Sequence, residues 1–226
     1  MEGNFIIGLI QIMFINIVLS GDNAVVIALA CRNLPKLQQK KAVFWGSAGA
    51  IILRVVLTFI AVWLLEIPFL QVLGSILLLW IAIKLLKGEG EEEELKSGSN
   101  IVEAIKTIIL ADLIMSLDNV VAVAGAAGGN MLLIGIGLAL SIPLIVWGSQ
   151  LLMKLMNRFP IIVTIGAALL GYTAGEMILH DKAVGHTLAT AFPFAEHIIP
   201  VITLLLVIII GKYQAKPKQD PLREVS

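Results

Sequence analysis

The sequence has a single cysteine, Cys31, in 226 residues. One thiol excludes an intramolecular disulfide and any cysteine-rich metal cluster, and leaves Cys31 as a small packing residue near a helix end. Charge is scarce too: Asp, Glu, Lys and Arg make up 14% of the chain, against roughly 25% in a soluble domain. With 58% hydrophobic residues and a mean hydropathy of +0.97, an ordinary soluble domain is excluded and a polytopic membrane protein is indicated. Aromatic residues account for only 6%, with two tyrosines, too few to line a pocket for an organic cation. The formal net charge of +0 says nothing about partners, and the placement of charge matters more than its sum; no nucleic-acid partner is expected.

What the chain does have is apolar length. A spanning helix needs about 20 apolar residues. Seven segments qualify, near 4–31, 41–65, 68–87, 101–127, 131–155, 160–179 and 197–212. The fold class expected is therefore an all-α polytopic membrane protein with seven transmembrane helices, its partner the lipid bilayer. With the N-terminus outside, fourteen Lys and Arg residues fall on the cytoplasmic side and only Lys182 outside, while Arg54 lies within a span. That positive-inside bias places the N-terminus out and the C-terminus in. The start, Met1-Glu2-Gly3-Asn4, lacks a basic n-region, so the first segment is expected to stay as a helix.

Two of these segments carry the same acidic motif. Leu19-Ser20-Gly21-Asp22-Asn23-Ala24-Val25 lies in the first, and Met115-Ser116-Leu117-Asp118-Asn119-Val120-Val121 in the fourth. An ionisable group at membrane depth costs at least ~2.5–3.5 kcal/mol on insertion scales and marks a functional site by default. Shifting the chain against itself by 96 residues aligns Phe14–Ala30 with Leu110–Ala126, six of seventeen positions being identical, and sets Asn16 opposite Asp112. A weaker match pairs Pro68 with Pro160, Gly74 with Gly166, Ala82 with Ala174 and Lys84 with Glu176. Repeats of three helices insert with opposite orientation, as in many secondary transporters that hold substrate near the midplane. The organisation expected is a first three-helix repeat over 1–87, an acidic cytoplasmic linker over 88–100 and a second repeat over 101–179. An extracytoplasmic loop over 180–196, a seventh helix over 197–212 and a cytoplasmic tail over 213–226 complete it. A homo-oligomer is compatible with the sequence, which does not fix it.

The donor types narrow the occupant. The first segment runs from Phe5 to Ala30, about 39 Å if helical throughout, so it must tilt, protrude or break. Ser20-Gly21-Asp22-Asn23 is the expected breaking point, where freed carbonyls would join carboxylate and amide oxygens. Asp22, Asn23, Asp118 and Asn119 are the candidate metal ligands. Oxygen donors without cysteine or an intramembrane histidine favour a hard divalent cation, Mn²⁺, Mg²⁺ or Ca²⁺. Facing aspartates also supply a coupling device, because proton uptake expels the metal. Asp112 sits six residues before Asp118, about 120° away around a helix, so it is read as a pathway residue as readily as a ligand. Asn16, Ser20, Ser116 and Glu176 share that standing. Arg54 needs a carboxylate or helix carbonyls to offset its cost, and serves either as a structural ion pair or as a built-in cation for the acidic site. Lys84 is expected to snorkel, and His180, Asp181, His186, Glu196 and His197 to decorate a solvated loop.

The two motifs, in a seven-span chain with this repeat, resemble the TerC family of bacterial integral membrane proteins, in its short form without appended soluble domains. That family takes its name from tellurium resistance, and several members are implicated in manganese efflux or in supplying metal to secreted enzymes. The resemblance implies an Mn²⁺ exporter of the bacterial cytoplasmic membrane, Mn²⁺ being the transported ion, with Asp22, Asn23, Asp118 and Asn119 at the motif positions. The oxygen donors do not by themselves choose Mn²⁺ over Ca²⁺ or Mg²⁺. An intramembrane aspartyl protease is the enzymatic alternative, but it predicts a Gly-x-Gly-Asp signature where this chain has Leu19-Ser20-Gly21 before Asp22. No enzyme activity is expected. The non-enzymatic alternatives are export of an organic cation or amino acid and a membrane factor that loads secreted enzymes.

Overall fold

Long apolar runs bounded by proline or polar turns set long helices. In the computed structural model of the chain, residues 8–10, 12–14, 21–64, 67–87, 97–126, 131–192 and 194–214 are described. They form α1 (Gly21–Cys31), α2 (Lys36–Leu64), α3 (Leu70–Lys87), α4 (Ser97–Ala126), α5 (Met131–Arg158), α6 (Ile161–His180), α7 (Gly185–Ala191) and α8 (Ala195–Gln214). Residues 8–10 and 12–14 are also helical, and no strand occurs among the described residues. Among the described residues, five helices are long and apolar enough to cross a membrane: α2 over Lys36–Thr58, α3, α5 over Leu132–Arg158, α6 and α8. They match five of the seven expected segments. The fourth segment is covered by α4, whose 30 residues reach about 45 Å. Of the first segment, α1 is described, while Asn16 and Ser20 lie outside the described residues.

Two boundaries differ from expectation. Helical backbone reaches back to Ser97, into the stretch read as linker. The loop read over 180–196 contains the seven-residue helix α7, too short to leave a periodic signal.

The bundle is apolar on both sides. Val26, Ile27, Leu78, Ile81, Ile108, Ile114, Leu170 and Met177 form a buried core shared by α1, α3, α4 and α6. Trp63 and Trp147 are 72% and 67% exposed, as side chains turned to lipid must be. Without a hydrophobic force between helices in lipid, close contact rests on small residues. A Cβ on Gly46 or Gly49 of α2 would stand 2.7 Å from Ile108 Cδ1 or 2.6 Å from Ile109 Cδ1 of α4. Between α6 and α8, a Cβ on Gly175 would lie 2.5 Å from Pro200 Cα, which is backbone and cannot yield.

Two polar contacts correct the sequence reading. Lys84 of α3 does not simply snorkel: it forms an ion pair with Glu103 of α4 and lies 5.4 Å from the Trp80 ring centroid. Asp181 is no solvated loop residue, being 2% exposed. Its Oδ1 accepts the N–H of Phe69 at 3.2 Å and of Ala183 at 2.9 Å, and its Oδ2 those of Gln71 at 3.2 Å and Val72 at 3.4 Å. It thus caps the start of α3 from the end of α6, some 110 residues along the chain. It also holds Phe69, whose φ of 64 is left-handed, a conformation costing a non-glycine residue roughly 1–2 kcal/mol. Burial pushes the Asp181 carboxyl up, but the four N–H groups outweigh it and hold the pKa below the ordinary value.

Asp181→Ala should therefore lower stability by about 1–3 kcal/mol at neutral pH, read as unfolding in detergent. Because the folded pKa is depressed, this contribution is fully present above about pH 4 and fades as pH falls through the folded value. The gap between wild type and variant should narrow in acid. In a separate comparison, Gly175→Ala should cost roughly 1–3 kcal/mol by overpacking, whereas Gly148→Ala, with nothing within 4 Å of its Cβ, should leave the unfolding midpoint unchanged or raised. Equal effects of the two substitutions would contradict the packing described.

Candidate metal site at the junction of α1, α2 and α4

Helical spacing assembles the site. On α2, Ser47, Ala50, Ile51 and Arg54 follow the i, i+3, i+4, i+7 pattern of one face. On α1, Asn23, Val26 and Ile27 do the same, and on α4 Ile108 and Asp112 are one turn apart. These residues and Ile145 of α5 line one cavity of about 20 Å³, enough for a water molecule or a single ion. The close approach of α2 to α4 at Gly46 and Gly49 brings the faces together.

Most of the wall is aliphatic, so its polar groups stand out. Arg54 is 3% exposed and Asp112 8%, and their side chains form an ion pair. Arg54 Nε donates to Ser116 Oγ at 2.9 Å, and Ser116 Oγ donates to Asp112 Oδ2 at 3.2 Å. In the same cavity lining, Asn23 is 4% exposed and Ser47 3%. Neither the Asn23 amide atoms nor Ser47 Oγ has a hydrogen-bond partner among the described residues. A buried polar group left unmet costs about 1–3 kcal/mol, so three unmet atoms at one cavity ask for an occupant.

The residues singled out in the sequence separate here. Asn23, Arg54 and Asp112 meet at the cavity, with Ser116 fully buried behind them. Asp22 is partly exposed and outside the cavity wall, its Oδ1 accepting the Asn23 N–H at 2.8 Å. Asn119 is partly buried on α4, and Glu176 partly buried on α6, away from the wall. Asp118 belongs to α4, but its side chain, like residues Asn16 and Ser20 entirely, lies outside the described residues. No cluster of three or more His, Cys, Asp or Glu occurs among the described residues. Ser47 was not anticipated. The available signal was its place seven residues before Arg54, within the small-residue run Gly46-Ser47-Ala48-Gly49. Chemically, Asn23 Oδ1, Ser47 Oγ and the Asp112 carboxylate are hard oxygen donors suited to a divalent cation.

Removing one member of a buried ion pair leaves the other charge uncompensated, at roughly 3–5 kcal/mol. Asp112→Leu should therefore destabilise the protein markedly, and adding Arg54→Met should recover most of the loss in a double-mutant cycle. Additive losses would mean that the two side chains do not depend on each other.

Comparison with known proteins agrees with this architecture. Residues 1–219 match the family described as integral membrane protein TerC. The chain is 44% identical to the membrane protein YjbE of Bacillus subtilis (strain 168), over 94% of this chain and 97% of that protein. To YceF of the same organism it is 29% identical, over 89% of this chain and 79% of the relative. It is also 29% identical, over 36% of this chain and 25% of the relative, to the tellurium resistance protein TerC of Alcaligenes sp. No solved structure matches the chain. The chain belongs to the TerC family of integral membrane proteins.

Proposed function

We propose that this protein is a divalent metal transporter of the bacterial cytoplasmic membrane, moving Mn²⁺ outward, with its N-terminus outside and its C-terminus in the cytoplasm. The observation that carries the reading is Asn23, a motif residue whose buried amide has no partner among the described residues and lines a cavity shared with the Asp112 carboxylate. Asp22, Asn23, Asp118 and Asn119 are assigned as ion-binding residues of the pathway, and Asp112 joins them. Ligand chemistry supports a hard divalent ion: Asn23 Oδ1, Ser47 Oγ and the Asp112 carboxylate are oxygen donors at one cavity, and proton uptake by carboxylates of the pathway offsets the ion's departure.

Seven spanning helices in two inverted repeats are part of the proposal. Helix contacts support it: α2 packs on α4 as α5 packs on α1, and α3 packs on α4 as α6 packs on α1. The paired glycines follow suit. Gly74 of α3 approaches Ile114 and Leu117 of α4, and Gly166 of α6 approaches Val25 and Leu29 of α1. A pseudo-two-fold that exchanges the repeats would produce these pairings, with the motif helices α1 and α4 against each other at its centre.

Overproducing the protein in cells challenged with excess manganese should lower intracellular manganese, and an Asp22→Ala/Asp118→Ala variant present at equal level should not. An equal fall with the double variant would refute the assignment.

A further inference from the structure

The carboxylate that Asp112 offers to the cavity already holds a cation. Arg54 pairs with its Oδ1 while also donating to Ser116 Oγ, so the guanidinium spans two anchors on α4. Its charge is permanent, because arginine is not deprotonated in proteins. In the same cavity lining, Asn23 and Ser47 supply an amide oxygen and a hydroxyl oxygen that meet no partner among the described residues. Part of the cavity lining is thus charge-satisfied, while the Asn23 amide and the Ser47 hydroxyl are not met among the described residues. A metal ion bound to Asn23 Oδ1 and Ser47 Oγ needs an anionic ligand, and the carboxylate in the cavity wall is the one Arg54 holds.

We propose that Arg54 is the resident counter-cation of the ion site and exchanges with the transported metal on Asp112. The inference rests on the divalent-metal reading above. An entering ion takes Asp112 Oδ1, Asn23 Oδ1 and Ser47 Oγ, while the guanidinium gives up its bond to Asp112 and keeps the one to Ser116. When the ion leaves, Arg54 closes back onto the carboxylate, so the buried acid is never without a positive partner. The ion must compete with a tethered cation, which weakens binding and speeds release. A site that has to let go of its ion each cycle needs that balance. A merely structural ion pair would give Arg54 no influence on metal affinity beyond loss of folding.

The test compares full-length wild type, Arg54→Gln and Arg54→Lys, measuring Mn²⁺ affinity by equilibrium binding in detergent and Mn²⁺ flux in proteoliposomes. Arg54→Gln should bind Mn²⁺ at least tenfold more tightly, with KM and the maximal flux both lowered. Added Mn²⁺ should raise its unfolding temperature more than that of wild type, because ligand binding stabilises the folded state in proportion to affinity. Arg54→Lys, whose single ammonium does not reproduce the planar two-anchor grip, should fall between the two. Unchanged or weaker affinity in Arg54→Gln would overturn the exchange. Should that variant not fold, Arg54→Lys with wild-type or weaker affinity overturns it equally. Wild type that binds no Mn²⁺ would instead bring down the divalent-metal reading, and this inference with it.

Discussion

Ionised side chains inside an apolar bundle must find partners, and the Arg54–Asp112 pair is where this chain meets that demand. The pair joins α2 to α4 with both side chains almost wholly buried, and Ser116 completes it from the next turn of α4. Such a pair adds little net stability over apolar packing, while breaking it is costly. Its presence is better explained by what it does for the neighbouring cavity than by cohesion. It keeps a carboxylate at the cavity, beside an amide and a hydroxyl that have no partner among the described residues.

The rest of the bundle serves that placement. Gly46 and Gly49 let α2 approach α4 so that Ser47 and Arg54 face α1 and α4 across a narrow gap. Gly175 lets α8 settle on α6 through Pro200. The Asp181 cap ties the start of α3 to the end of α6, satisfying backbone donors that lipid would leave unmet. Helix ends are pinned by polar contacts and helix middles by small residues, and the cavity at Asn23, Ser47, Arg54 and Asp112 lies beside the glycine contact of α2 with α4.

Much of this was legible in the sequence, and the physics explains which parts. Hydropathy located five spans because apolar length is a property of a single segment. The cost of charge in lipid picked out Arg54, the repeat alignment brought in Asp112 opposite Asn16, and the twin motifs carried the family resemblance, which the comparisons bear out. What stayed hidden depends on partners distant in the chain. Asp181 looked like a loop acid because the N–H groups it caps lie some 110 residues earlier. Lys84 looked like a snorkelling side chain because Glu103 is brought to it by the packing of α3 on α4. Ser47 is chemically ordinary, and only the face it shares with Arg54 gives it meaning. Asp112 ranked below Asp22 in the sequence because it stands about 120° around the helix from Asp118, yet it is Asp112 that lines the cavity.

We propose that the cavity lined by Asn23, Ser47 and Asp112 holds one divalent ion. Counting Mn²⁺ bound per chain in the purified protein, by electron paramagnetic resonance of free and bound ion, tests it most directly. The account predicts one ion per chain in wild type and loss of that ion in Asn23→Ala. Saturation at zero, or one ion retained in Asn23→Ala with unchanged affinity, would contradict it.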